Sequence, residues 1–252
     1  MSDKVIDWDV ITKQYPGLAT TIKTGKESHD GREEGLLAFI ESHQQLDEIK
    51  GSPEKMLATM DEYSRNTDFL ISIGPHKSGV LVDLLEKEEP KVIVELGGYL
   101  GYSAILFANT LREMHGADAE FHVWSLELDP KFASIADKLI EIAGLSKYIS
   151  VVVGPAEENL KKLLDKSDIS KIDLLFLDHV EKLYQEHFEL CRSLGLFKEG
   201  TVIAADNVVR PGAPEYRTFV RADPSLSSIG IEGLIQPGDL YDEIEITHVQ
   251  SV

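Results

Sequence analysis

From Lys91 onward the chain alternates short apolar runs with amphipathic segments five times, and this alternation is the tightest limit on how it can fold. The runs are VIVEL at 92–96, FHVWSLEL at 121–128, YISVVV at 148–153, IDLLFLD at 172–178 and TVIAAD at 201–206. Helices are expected to follow from about Tyr102, Pro130, Pro155, Glu181 and Ala213. Short runs rich in valine and isoleucine suit strands buried on both faces. Repeated strand–helix units therefore predict an α/β fold, a doubly wound and mostly parallel sheet. Two later runs, GIEGLI at 230–235 and YDEIEITHV at 241–249, flank Pro237-Gly238 and predict a hairpin that adds an antiparallel edge.

Ahead of the sheet, apolar residues recur at helical spacing: Leu36, Leu37, Phe39 and Ile40, then Met56, Met60, Tyr63 and Leu70. A third helix is expected from about His76 to Glu88, stopped by Pro90. Residues 1–30 show no clear periodicity and read as an N-terminal extension. Residues 31–90 read as a helical cap on the sheet core at 91–252, the two forming a single domain without a linker. With 44 acidic against 25 basic residues the net charge is -19, which argues against nucleic acid and against an anionic membrane surface as partners. Such a charge is compatible with small cations. The single cysteine, Cys191, excludes an intrachain disulfide and any paired-cysteine metal site. No apolar run reaches the ~18 residues of a membrane span, and the first ten residues lack the order of a signal peptide. The expectation is a cytoplasmic protein, a monomer, acting on a small molecule.

In an open parallel sheet, ligands bind beyond the carboxyl ends of the strands. Polar residues at those ends are Glu95, Glu127, Glu157, Asp178 with His179, and Asp206 with Asn207. All five strands thus end on, or run just past, an acidic residue. The first leads into Glu95-Leu-Gly97-Gly98-Tyr99-Leu-Gly101-Tyr-Ser103, where glycines allow a tight turn and close approach of a ligand to the backbone. A plain strand-to-helix turn would use the same residues. The loop is not G-x-G-x-x-G, which weighs against a nicotinamide-dependent oxidoreductase. Carboxylates suit the ammonium, ribose diol and sulfonium of S-adenosylmethionine. Glu127 stands where a carboxylate accepts the hydroxyls of a ribose. Asp178, Asp206 and Asn207 offer three hard oxygens at neighbouring strand ends, a set suited to Mg2+ with positions left for a diol. Helix N-capping is the competing use of all three.

Three stretches carry a family resemblance: ELGGYLGYSA at 95–104, FLDH at 176–179 and GTVIAADNVVRPGAP at 200–214. In this order and spacing they resemble the catechol O-methyltransferases, over the chain from about Gly31 to near its end. The resemblance implies a seven-stranded methyltransferase sheet with its last pair reversed. It also implies S-adenosylmethionine as cofactor and Mg2+ held by Asp178, Asp206 and Asn207. Around the methyl donor it places Ile73, Glu95, Gly97, Tyr99 and Ser103, with Glu127 and Leu128 at the ribose. Ala156, Glu157 and His179 fall on the adenine side, and Asp178 counts among the cofactor-binding residues as well as the metal set.

The departures lie on the substrate side. The lysine taken as general base in animal members falls at Glu181, with Lys182 one position later; Lys182 is the candidate base, and Glu181 or the metal alone serves if Lys182 points away. The aromatic residue after the histidine is Val180, and an acidic residue of the slot falls at Gln236. The adenine-side pair is Ala156-Glu157 instead of Ser-Gln. The expected activity is metal-dependent O-methylation of a catechol or similar vicinal diol. A methyltransferase-like binding protein without turnover is the alternative that the altered slot keeps open.

Overall fold

The computed structural model describes residues 7–252; the first six residues of the expected extension lie outside it. Each apolar run becomes a strand and each amphipathic run a helix: β1 (Val92–Leu96), α7 (Tyr102–His115), β2 (His122–Glu127), α8 (Pro130–Ile142), β3 (Ile149–Val153), α9 (Ala156–Asp165), β4 (Leu174–Leu177), α10 (Tyr184–Ser193), β5 (Val202–Ala205), α11 (Pro214–Ala222), β6 (Leu226–Ile235) and β7 (Leu240–Val249). The expected start at Glu181 resolves into a single 3-10 turn, Glu181–Leu183, ahead of α10. Local chemistry sets several of the starts. Asp129 caps α8 by accepting hydrogen bonds from the amides of Lys131 and Phe132 at 2.7 and 3.3 Å, and Pro130 occupies the first helical position.

The strands form one seven-stranded sheet in the order β3-β2-β1-β4-β5-β7-β6, parallel except for β7, which runs antiparallel to both β5 and β6. The order reverses between β1 and β4, whose tips meet at Leu96 and Leu177. That reversal opens a crevice above the strand ends. On one face Phe176 of β4 packs against Phe107 of α7 beneath the cap, and the other carries Tyr184, Phe188 and Cys191 of α10 with Tyr216 of α11. Burial pushes the Cys191 thiol up to about 12.

The cap comprises α3 (Arg32–Glu41), α4 (Leu46–Ile49), α5 (Pro53–Asn66) and α6 (Gly74–Glu88). Residues 8–24, where the sequence shows no periodicity, form two further short helices, α1 (Trp8–Gln14) and α2 (Leu18–Thr24). They are docked onto the cap. Tyr15 and Leu18 cover Phe69, and the Gly17 amide donates to the Arg65 carbonyl at 2.9 Å. Arg32 is 2% exposed and spreads its donors over Asp30, Thr21, the Lys26 carbonyl and the Phe69 carbonyl. A buried guanidinium so fully satisfied holds this part of the chain to the cap loop. Among the described residues no helix is long and apolar enough to cross a membrane.

Candidate active site

Because β1–β5 are parallel their carboxyl ends lie along one edge of the sheet, and they use their polar groups differently. On the β1 side, Glu95 is wholly buried and both its oxygens accept hydroxyls, from Ser103 and Ser125. Burial raises its carboxyl to about 7, against the pull of those two hydrogen bonds. Its carboxylate therefore braces the turn from beneath. Gly97 adopts φ 97, and a β-carbon there would overlap the Asp178 carbonyl oxygen. The turn thus needs glycine both for its dihedral and for the close approach of β4. Tyr99, also at positive φ, donates its amide to Glu127 at 2.7 Å and its hydroxyl to Glu33 at 3.1 Å. The second Glu127 oxygen accepts the Asp129 amide at 2.7 Å. Each oxygen of Glu127 keeps a lone pair for a hydroxyl donor, and burial raises its pKa.

Just past β2, Leu128 is 68% exposed, an uncovered apolar side chain at the lip of the crevice. Ile73 is buried at the start of α6, and Ala156 begins α9. Exposed Glu157 lies 3.7 Å from His187, which in turn bonds His179 at 2.7 Å. Burial first, and the neighbouring His187 second, take His179 down to about 3, so it is a neutral ring at ordinary pH.

On the β4–β5 side, the register pairs Leu177 with Ala205, so Asp178 and Asp206 stand at adjacent strand tips. Burial and the neighbouring Asp206 carboxylate drive Asp178 well above the usual carboxylate range. Asp206 is raised as well, chiefly by burial, with Lys77 opposing. Lys77 reaches down from α6 and sets its ammonium 2.6 Å from Asp206 Oδ1 and 2.7 Å from Asp242 Oδ2. Asn207 sits at φ 57 and donates its amide hydrogens to the Arg210 carbonyl and to Asp242, each at 3.0 Å. Its carbonyl oxygen is left as the free end.

Among the described residues no three His, Cys, Asp or Glu side chains form a metal-holding group. The set at these tips is two carboxylates and an amide, with a lysine beside it. Its charge suits a cation nonetheless. Asp178, Asp206 and Asp242 against Lys77 leave a formal excess of two negative charges in a largely buried cluster, the charge one divalent ion would neutralise.

The two candidate bases also part company. Glu181 lies close enough to Asp178 to contribute to raising it, whereas Lys182 is exposed on the same 3-10 turn without an ion-pair partner among the described residues. Val180 is 57% exposed, and Gln236 spends its side chain on the His76 amide and Asp239 at 2.9 and 2.8 Å. Sequence reasoning missed Lys77 and Asp242. They stand 165 positions apart, and no local pattern joins them. A cavity of about 540 Å³ lies between α5, α6 and α7 and takes in none of the strand-tip residues.

A family model described as O-methyltransferase matches residues 48–216. The chain is 30% identical over 214 residues to the catechol O-methyltransferase of Bos taurus, covering 85% of this chain and 75% of the relative. It is 31% identical to catechol O-methyltransferase B of Danio rerio, covering 78% and 71%. Among solved structures it resembles the Bacillus cereus O-methyltransferase in complex with SAH, with a TM-score of 0.63, 21% identity, and coverage of 95% of this chain and 99% of that one. The chain belongs to the O-methyltransferase family, and catechol O-methyltransferases are among its relatives.

Proposed function

We propose that the chain moves the methyl group of S-adenosylmethionine to one oxygen of a catechol or similar vicinal diol, with Mg2+ held by Asp178, Asp206 and Asn207. The observation that carries this reading is the pairing, at adjacent strand tips, of two carboxylates in excess of their lysine with an amide oxygen turned outward. A divalent cation there supplies a Lewis acid that favours the anionic form of a diol hydroxyl.

The chain's own residues do the remainder. Glu127 receives the ribose hydroxyls, Leu128 covers an apolar face of the nucleoside, and Tyr99 and the Gly97 turn form the wall behind the methionine end. His179, held neutral, lies against the base without adding charge. Glu181 takes the hydroxyl proton, being the candidate base that faces Asp178, and exposed Lys182 stands outside the transfer. Val180 and Gln236 leave the substrate slot without the ring and acid that the resemblance implied, so the diol is gripped chiefly through its two oxygens. Much of the rate then comes from holding two reactants in line, for which ~7–11 kcal/mol is the ceiling in good intramolecular cases.

Methyl transfer from labelled S-adenosylmethionine across a panel of catechols and aliphatic diols, with Mg2+ or with chelator, tests this. Turnover of at least one diol that disappears with chelator is expected. Cofactor binding without turnover of any diol would leave a binding protein in its place.

A further inference from the structure

The ion pair between Lys77 and Asp242 is an odd thing to find at the heart of the molecule. Both residues are almost wholly buried, at 1% and 0% exposed. Burying such a pair is poor stabilisation, since desolvation cancels most of the attraction and a well-packed apolar pair would do as well. The pair also joins elements far apart in the chain, the cap helix α6 and strand β7. A corridor is kept for it: a β-carbon on Gly233 of β6 would come within 2.8 Å of the Lys77 Cγ.

The hydrogen bonds show what the pair acts on. Asp242 accepts the Val209 and Arg210 amides on Oδ1 at 3.0 and 2.9 Å, and Lys77 with the Asn207 amide on Oδ2 at 2.7 and 3.0 Å. This carboxylate thus fastens Asn207, Val209 and Arg210 of the loop after β5. Because its partners on Asn207 Nδ2 are an anion and a carbonyl, both pure acceptors, the amide has a single allowed orientation, with Oδ1 pointing away. Lys77 does the equivalent for Asp206. Its ammonium stands 2.6 Å from Oδ1 and pins that carboxylate from the cap as an ion pair.

We infer that Lys77 and Asp242 are positioning residues that hold Asp206 and Asn207 in place at the strand tips, with the Asn207 carbonyl turned away from its partners, so that the cation site exists before the cation arrives. This rests on the metal reading above and deepens it. Partners of this kind behind a ligand are commonly worth 10–100-fold in metal affinity.

The test uses the full chain and Mn2+ as the probe, titrated by electron paramagnetic resonance, with S-adenosylhomocysteine affinity measured calorimetrically in parallel. Asp242→Asn is expected to weaken Mn2+ at least about tenfold while S-adenosylhomocysteine binding stays within about twofold. In an Asn207→Ala background most of that loss should vanish, because the residue being aimed is gone. Gly233→Ala, which displaces the Lys77 stem without touching a polar group, should weaken Mn2+ in the same direction and stands in if Asp242→Asn fails to fold. Wild-type affinity in folded Asp242→Asn or Gly233→Ala, or full additivity with Asn207→Ala, overturns the inference alone. Failure of the wild type to bind Mn2+ removes the metal reading and the inference together.

Discussion

The two halves of the crevice are built on different principles. On the β1–β2 side the carboxylates are satisfied close at hand: Glu95 by two serine hydroxyls, Glu127 by the amides of the turns beside it. On the β4–β5 side the groups depend on side chains brought from the cap and from the last strand. The first half is a strand–turn–helix motif that largely organises itself. The second is an assembly of distant parts, complete only when cap, parallel strands and terminal hairpin have all come together. A locally built half tolerates change elsewhere, whereas an assembled half transmits it.

The largest effect should come from removing a group the assembled half presents. Asp206→Ala is expected to lower methyl transfer by more than about 100-fold, beyond the range of an outer partner. Cofactor affinity in the other half should change little. If calorimetry showed both falling together, the two halves would not be separable.

A smaller effect, on stability, should arise where the halves touch. Gly97→Ala forces a β-carbon against the Asp178 carbonyl at a positive φ, and is expected to cost about 2–3 kcal/mol in chemical denaturation. Stability close to wild type would mean the strand tips can part. Exchanging the two candidate bases sharpens the picture of the assembled half. Glu181→Gln should reduce turnover by about 100-fold and Lys182→Ala by less than about threefold, and the reverse order would return the proton to the lysine.

The smallest effect belongs to the local half and concerns pH. The folded Glu95 carboxyl lies at about 7, above its ordinary value of 4.5, so the folded state holds a proton that the unfolded state has released. Its contribution is present below about 4.5 and fades as pH rises toward 7. Glu95→Gln should flatten that slope, a difference of a few degrees in Tm across the window. An unchanged slope would show that the serine hydroxyls keep the carboxylate charged throughout.

The same contrast explains what the sequence discloses. The strands are legible because VIVEL and IDLLFLD are apolar over lengths that only a buried strand accommodates, and Asp178 and Asp206 are legible because each closes such a run. The glycine turn reads well for the same reason, since dihedral and contact are local demands. What escapes is whatever depends on a remote partner. Lys77 is one lysine among many on a cap helix until Asp206 is seen beneath it. Asp242 is one acidic residue of the last strand until Asn207, 35 positions away, is found bonded to it. Helices α1 and α2 escape because their few apolar residues cover only Phe69, too small a patch to leave a period. The start expected at Glu181 differs from the 3-10 turn observed because the chain must leave β4 before α10 can begin.

The chain owns a single thiol, Cys191, carried by α10 in the apolar cluster that it and α11 build against the sheet, and held protonated by its apolar surroundings. An alkylating reagent can reach it only after those helices lift from the sheet. Its modification rate therefore serves as a clock for the opening of that layer, read in the native sequence without introducing a reporter cysteine.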